Sequence, residues 1–252
     1  MLFPVSDDDR ALSGPAFVTG ALLLANLAVF GLQLLDPELT YAYSTVPFEI
    51  TAGEDLVNGA PIGLSPSDLS QIPQRPGPTP IYLTLLSSMF MHGGFAHLFG
   101  NLLYLWIFGD NVEHRFGHGP FLAFYLVSGV VASAAQIALE PGSVIPSLGA
   151  SGAISGVLGA YLVLFPRNRV HAIFLFTIVS VPAVVAIGLW IVFQFVNGAG
   201  AIAAAEQTGG VAYGAHIGGF FAGVALAFIL RRTIRERPNR LTRADARSGP
   251  LW

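Results

Sequence analysis

The chain has 252 residues, 53% of them hydrophobic and only 11% charged, where an ordinary soluble domain carries about 25% charge. With a mean hydropathy of +0.64 and 29 glycines, this balance excludes a disordered chain or a coiled coil and argues against a water-soluble globule, because helices in lipid tolerate glycine and pack closely through it. The 12 basic and 15 acidic side chains, net −3, offer no overall basic character to nucleic acid, and the absence of cysteine removes disulfides, thiolate metal sites and a cysteine nucleophile together.

Residues 1–15 read as a cytoplasmic N-terminal segment. Asp7, Asp8 and Asp9 precede the first apolar run without a basic cluster, so the pattern is not that of a cleaved signal peptide and the first span reads as a retained anchor. Uncharged apolar stretches of membrane-crossing length then follow at Ala16–Leu35, Ile81–Gly109, Gly119–Leu139, Gly149–Phe165, Ala172–Phe195 and Ala212–Leu230. The second is longer than a span requires, which places its first residues at the interface, and the fourth is short. The expected fold is an all-α membrane protein, a six-transmembrane-helix bundle over residues 16–232, with an arginine-rich cytoplasmic tail at 233–252. Eleven of the twelve arginines fall on the side shared by the termini, Arg75 alone lying opposite, so both termini are expected in the cytoplasm of a multi-pass protein of the cell membrane. The tail reads as topogenic and lipid-facing rather than as a nucleic-acid patch. Outside, residues 36–80 form a long proline-rich loop and 196–211 a shorter one.

Polar side chains at membrane depth are costly and are functional candidates by default. Here they are His92, His97 and Asn101 on the second span, Ser151 and Ser155 on the fourth and His216 on the sixth; His114, His118 and His171 fall in or near cytoplasmic loops. Even-numbered spans run from outside to inside, so His97, Ser151 and His216 all lie in the outer half of the membrane. His97 and Asn101 share one helix face. Gly152, Gly156 and Ala160 on the fourth span and Ala215, Gly219, Gly223 and Ala227 on the sixth recur at steps of four, a spacing that lets two backbones approach. If those stripes meet, Ser151 and His216 lie beside the contact at similar depth. A histidine can then take the serine proton and return it to a leaving amine, while the Ser151 N–H at a helix start, His97 and Asn101 supply donors to an oxyanion. These parts suit acyl transfer.

The motifs His97-Leu-Phe-Gly-Asn101, Gly149-Ala-Ser151-Gly152 and Ala215-His216-Ile-Gly-Gly219-Phe-Phe-Ala-Gly223, in that order on even spans, resemble those of the rhomboid intramembrane serine proteases. The resemblance runs from His92 to Gly223. It implies Ser151 as nucleophile, His216 as general base and acid, His97 and Asn101 as oxyanion contributors, and supporting places for His92, Gly149 and Gly152. It also implies a two-residue dyad without a carboxylate, no cofactor and no metal, and transmembrane proteins in the lipid bilayer as substrates. Glu113 and Arg115 are similar to the family's structural element after the second span, and the fifth span, with Trp190 and Phe193, would form its gate. In two places the chain departs from the family. Ser155 stands where an aromatic often packs against the histidine, so other contacts must hold that ring, and the first loop lacks a Trp-Arg pair, the tryptophans being 106, 190 and 252.

Each of these features also has a simpler reading. Ser151 alone could be a packing serine bonded to its own helix, His97 and Asn101 an interhelical pair, and His114 with His118 a solvated loop rather than a metal site. No H-E-x-x-H motif supports a metalloprotease. Two other functions compete with the protease: a non-catalytic rhomboid-like protein that binds membrane helices, and a small transporter, against which stands the absence of an inverted repeat. Oligomeric state is not legible in the sequence.

Overall fold

A computed structural model describes residues 3–7, 14–58, 75–203 and 211–233. Among these, helices long and apolar enough to cross a membrane cover Phe17–Leu35, His118–Leu139, Ala183–Gly200 and Tyr213–Arg232. The principal helices are α1 (Phe17–Leu35), α2 (Phe95–Phe116), α3 (His118–Leu139), α4 (Ser151–Leu164), α5 (Ala183–Ala203) and α6 (Tyr213–Thr233). Helix α2 carries Asp110, Glu113 and Arg115 in its last turns. With 14 residues, α4 rises only about 21 Å, less than the ~30 Å of a bilayer core.

The chain is not wholly α-helical. Strands β1 (Phe3–Asp7), β2 (Arg169–Phe174) and β3 (Thr177–Pro182) form an antiparallel sheet in the order β1-β2-β3. Phe3 pairs with Ile173 and Asp7 with Val170, while Arg169 pairs with Pro182 and Phe174 with Thr177. The residues expected to open the fifth span are therefore extended, because Val170, Ile173, Thr177, Ile178, Val179 and Val181 are β-branched and pack best on a pleated surface. Helix α5 starts only at Ala183 and continues to Ala203, into what was expected to be loop. The expected second span is also divided. A short helical stretch, Ile81–Phe90, stops before Gly93 and Gly94, and α2 begins after them. Residues 59–74 of the long loop, 204–210 of the shorter one and the arginine-rich tail from 234 onward lie outside the described residues.

Helices α4 and α6 touch through their backbones. A Cβ added at Gly219 would stand 2.1 Å from the Gly152 carbonyl oxygen, one at Gly223 2.0 Å from that of Gly156, and one at Gly159 2.3 Å from that of Phe220. Ala160 and Ala227 continue the two stripes and are fully buried. On the other side of α6, a Cβ at Gly218 would meet Ala135 of α3 at 2.3 Å, and the Gln136 side-chain oxygen accepts the Ala215 N–H at 3.2 Å.

Two carboxylates pin the end of the bundle where α2 and α4 terminate. The buried Glu113 side chain accepts hydrogen bonds from Val18 N–H (2.9 Å), Thr19 N–H (2.7 Å) and Thr19 Oγ1 (2.7 Å), and also lies against His118 Nδ1. It thereby caps α1, whose own N-cap residue, Ala16, has no side-chain hydrogen bond, and an anion there is favoured by the free N–H groups and the helix dipole. Asp7 accepts from Asn111 Nδ2 at 2.9 Å and from the Tyr161 hydroxyl, tying β1 to α2 and α4.

At the opposite end, the first loop braces the chain that leads into α4. Thr45 and Ser147 exchange backbone hydrogen bonds, Phe48 N–H donates to Ser143, and Gly149 N–H donates to Ser88. Glu49 is buried in this loop, its carboxyl accepting the Leu56 N–H at 3.1 Å. Burial, reinforced by the nearby Asp55 and opposed by the Leu56 bond, pushes Glu49 up to about 7.

Two measurements check this packing. Gly223→Ala should cost about 1–3 kcal/mol, as overpacking does, read as a lower midpoint in equilibrium unfolding; an unchanged midpoint would mean that the backbones are not in contact. For Glu49 the folded value lies above the unfolded one, so the fold favours the protonated form, and stability present at low pH is lost as pH rises through about 7. Glu49→Gln should therefore raise the thermal midpoint in detergent by a few degrees at pH 8 and leave it unchanged at pH 4; a gain of equal size at both would contradict the burial of an ionisable carboxyl.

Candidate active site

His97, Ser151 and His216 each fall in the first turn of α2, α4 and α6 respectively, and these turns converge at the end of the bundle braced by the first loop. Ser151 Oγ lies 2.8 Å from His216 Nε2, across 65 positions of sequence. Both residues are partly buried. The contact follows from the glycine packing: Gly152, next to Ser151, lies against Gly219 of α6, one turn beyond Ala215, which is next to His216. A Cβ on Gly152 would meet that of Ala215 at 3.8 Å and that of Ala132 at 2.6 Å.

Ser151 opens α4, so its backbone N–H is among those that no helical carbonyl satisfies. The turn that delivers it runs through Gly149, whose φ of +119° is accessible to glycine and strained for other residues. Space forbids a side chain there as well, since a Cβ would stand 2.7 Å from Cε1 and Nε2 of His97. The His97 ring thus faces the strand entering α4. Its Nδ1 accepts the Gly93 N–H at 3.3 Å, which leaves the neutral ring its proton on Nε2, the edge turned towards Gly149. Asn101 is buried and donates from Nδ2 to the His97 carbonyl at 3.0 Å; the second hydrogen of the same amide is the donor it could offer to a substrate.

His92 packs edge-on against His97 with ring centroids 5.3 Å apart. Its backbone is clamped by Gln33 of α1, which donates to the His92 carbonyl at 3.1 Å and accepts its N–H at 3.0 Å. The ring Nδ1 lies 3.1 Å from the Phe90 carbonyl, while the buried Nε2 has no hydrogen-bond partner. Ser155 is fully buried, and its hydroxyl donates to the Ser151 carbonyl at 2.6 Å, while the His216 ring bonds to Ser151 and Gln194. His114 lies against the carbonyls of Asp110 and Gly14, and His118 against Glu113. Among the described residues no group of three His, Cys, Asp or Glu is arranged to hold a metal ion.

Two residues of α5 flank His216: Gln194, which the sequence did not single out, and Trp190, expected there as part of the gate. Gln194 Oε1 lies 2.8 Å from His216 Nδ1 and is buried, and the Trp190 ring sits with its centroid 5.9 Å from that of His216. A glutamine within a charge-free apolar run is the signal that could have found the first, by the same cost of polar groups in lipid that singled out Ser151 and His216.

Fold and site describe a helical membrane protein in which a serine and a histidine are held in hydrogen-bond contact near one end of the bundle. The family model described as Rhomboid domain matches residues 80–233, and the chain belongs to the rhomboid family. It is similar to "Rhomboid protein 1, mitochondrial" of Saccharomyces cerevisiae, 32% identical over 173 residues that make up 66% of this chain and 46% of that protein. It is also similar to "Rhomboid protease GluP" of Bacillus subtilis, 40% identical over 143 residues, 56% of this chain and 25% of that protein. With "Presenilin-associated rhomboid-like protein, mitochondrial" of Homo sapiens the identity is 37% over 93 residues, 36% of this chain and 24% of that protein. The chain thus matches less than half the length of each of these relatives.

The close approach of His97 to Gly149 carries its own test. Gly149→Ala combines a strained φ with a displaced His97 ring, and should lower the rate at which a fluorophosphonate phosphonylates Ser151, with loss of fluoride, by about tenfold or more while leaving the helical content intact; labelling at the wild-type rate would show that this turn is not what holds His97 and Ser151 together.

Proposed function

We propose that this chain is an intramembrane serine endopeptidase that hydrolyses peptide bonds in or near transmembrane segments of membrane proteins, using Ser151 and His216 as a dyad. The observation that carries the reading is the 2.8 Å approach of Ser151 Oγ to His216 Nε2 at the start of a helix. In this reading the six principal helices all serve as spans, both termini are cytoplasmic, and the protein resides in the cell membrane. The site then opens towards the outer face, where water reaches it.

The steps follow from the geometry. His216 Nε2 takes the Ser151 proton as Oγ attacks the scissile carbonyl carbon, and the carbonyl π pair moves to oxygen. In this reading the resulting oxyanion accepts hydrogen bonds from the Ser151 N–H, His97 Nε2–H and the Asn101 amide, which stabilise the charge as it develops. The C–N bond breaks and His216 returns the proton to the departing amine, leaving an ester on Ser151. A water molecule, deprotonated by the same nitrogen, attacks the ester and regenerates the hydroxyl. Because the carbonyls of a helix are engaged in its own hydrogen bonds, the substrate must present a locally unwound segment, and small or helix-weakening residues near the cut are expected. Gly149 and Gly152 support the reaction by letting His97 and α3 approach, and His92 by its contact with His97.

Reconstitution in liposomes with a panel of single-span substrates tests this reading. Wild type and Ser155→Ala should cleave, and Ser151→Ala and His216→Ala should lose at least about 10³-fold in rate. Cleavage by Ser151→Ala would end the assignment, and a wild type that cuts no substrate but alters its stability would point instead to a non-catalytic helix-binding protein.

A further inference from the structure

In serine proteases of soluble folds a carboxylate holds the catalytic histidine, and here both ring nitrogens of His216 are engaged without one. Nε2 meets Ser151 Oγ and Nδ1 meets Gln194 Oε1, each at 2.8 Å. An amide oxygen only accepts, so the Nδ1 position must carry the ring proton and Nε2 must present its lone pair to the serine. We infer that Gln194 is a positioning residue that locks His216 in the tautomer able to deprotonate Ser151. The inference about the ring stands on geometry alone, whereas its effect on turnover rests on the protease reading.

Three observations support the assignment. Gln194 is 4% exposed, so its amide does not exchange partners freely with solvent. Trp190 lies one helical turn away on the same face of α5 and stacks at a tilt of 37° beside His216, so one helix face restrains the imidazole both by a hydrogen bond and by ring contact. Finally, the hydroxyl of Ser155 on α4 is engaged with the Ser151 carbonyl and is not among the His216 partners. A neutral amide also suits the surroundings. A carboxylate in the same place would have to be desolvated inside an apolar bundle, at a cost that the hydrogen bond need not recover. The titratable group that reaches His216 electrostatically is His97 of α2; no acid is among its hydrogen-bond partners.

The test combines kinetics with imidazole nitrogen shifts in 15N-histidine-labelled protein, His216 being assigned from the spectrum of His216→Ala. Wild type should show His216 protonated on Nδ1. Gln194→Met, which fills the same space without an acceptor, should lose that signature and lower kcat by about tenfold or more with KM unchanged. Gln194→Glu, which restores an acceptor, should recover the Nδ1–H signature. Wild-type His216 protonated on Nε2, or Gln194→Met with the wild-type tautomer and kcat within about twofold, would overturn the inference. The nitrogen shifts decide the matter even for a protein that cleaves no substrate, so the protease reading can fail without carrying this inference down, and the reverse.

Discussion

The arrangement of the site depends on one contact, the approach of the α4 and α6 backbones at Gly152, Gly156, Gly219 and Gly223. In lipid, apolar side chains gain little by leaving a medium as apolar as themselves, so helix association rests on dispersion and on the closeness that small residues permit. Any Cβ on Gly219 or Gly223 would overlap a carbonyl oxygen of α4. The same closeness brings Ser151 and His216, each one residue from the stripe, within hydrogen-bond reach. Helix packing and dyad geometry are therefore one constraint, expressed in two places.

Around that seam, the two ends of the bundle are built differently. At the end where α2 and α4 terminate, buried carboxylates do the tying: Glu113 caps α1, and Asp7 joins the sheet to Asn111 and Tyr161. At the site end Glu49 is buried within the first loop, but the contacts nearest the site run through backbone amides and neutral side chains, among them the Thr45–Ser147 bridge, the Gln33 clamp on His92 and the Gln136 contact with Ala215. Neutral partners hold geometry without imposing a charge on the imidazoles they surround. Gln194 belongs to the same pattern, since it meets His216 Nδ1 with the oxygen of a neutral amide.

Much of the site was legible because its chemistry is written in residues that lipid disfavours. Ser151, His97, Asn101 and His216 stand out against uncharged runs, and the four-residue spacing of small side chains indicated which helices could meet. The sheet was not legible by the same means. A run from Val170 to Val181 is as apolar as a span, and length and hydropathy do not distinguish a buried helix from two short strands; the density of β-branched residues was the signal that separates them. Gln194 is an amide like Asn101 and carried the same signal, but no histidine shares its helix face and no small-residue stripe on its span pointed to a partner. Its partner is distant in sequence, and only the fold brings Nδ1 and Oε1 together. The division of the second span at Gly93 and Gly94 was foreshadowed only by its excess length.

The central claim is that glycine-mediated contact between α4 and α6 makes one serine hydroxyl reactive. Mapping by mass spectrometry the site at which a fluorophosphonate attaches, in wild type and in Gly219→Val, tests it most directly. The account predicts a single adduct on Ser151 in wild type, insensitive to chelators, and its loss in Gly219→Val although the serine is still present. An adduct on Ser155, or undiminished modification of Ser151 once the helices have been forced apart, would contradict it.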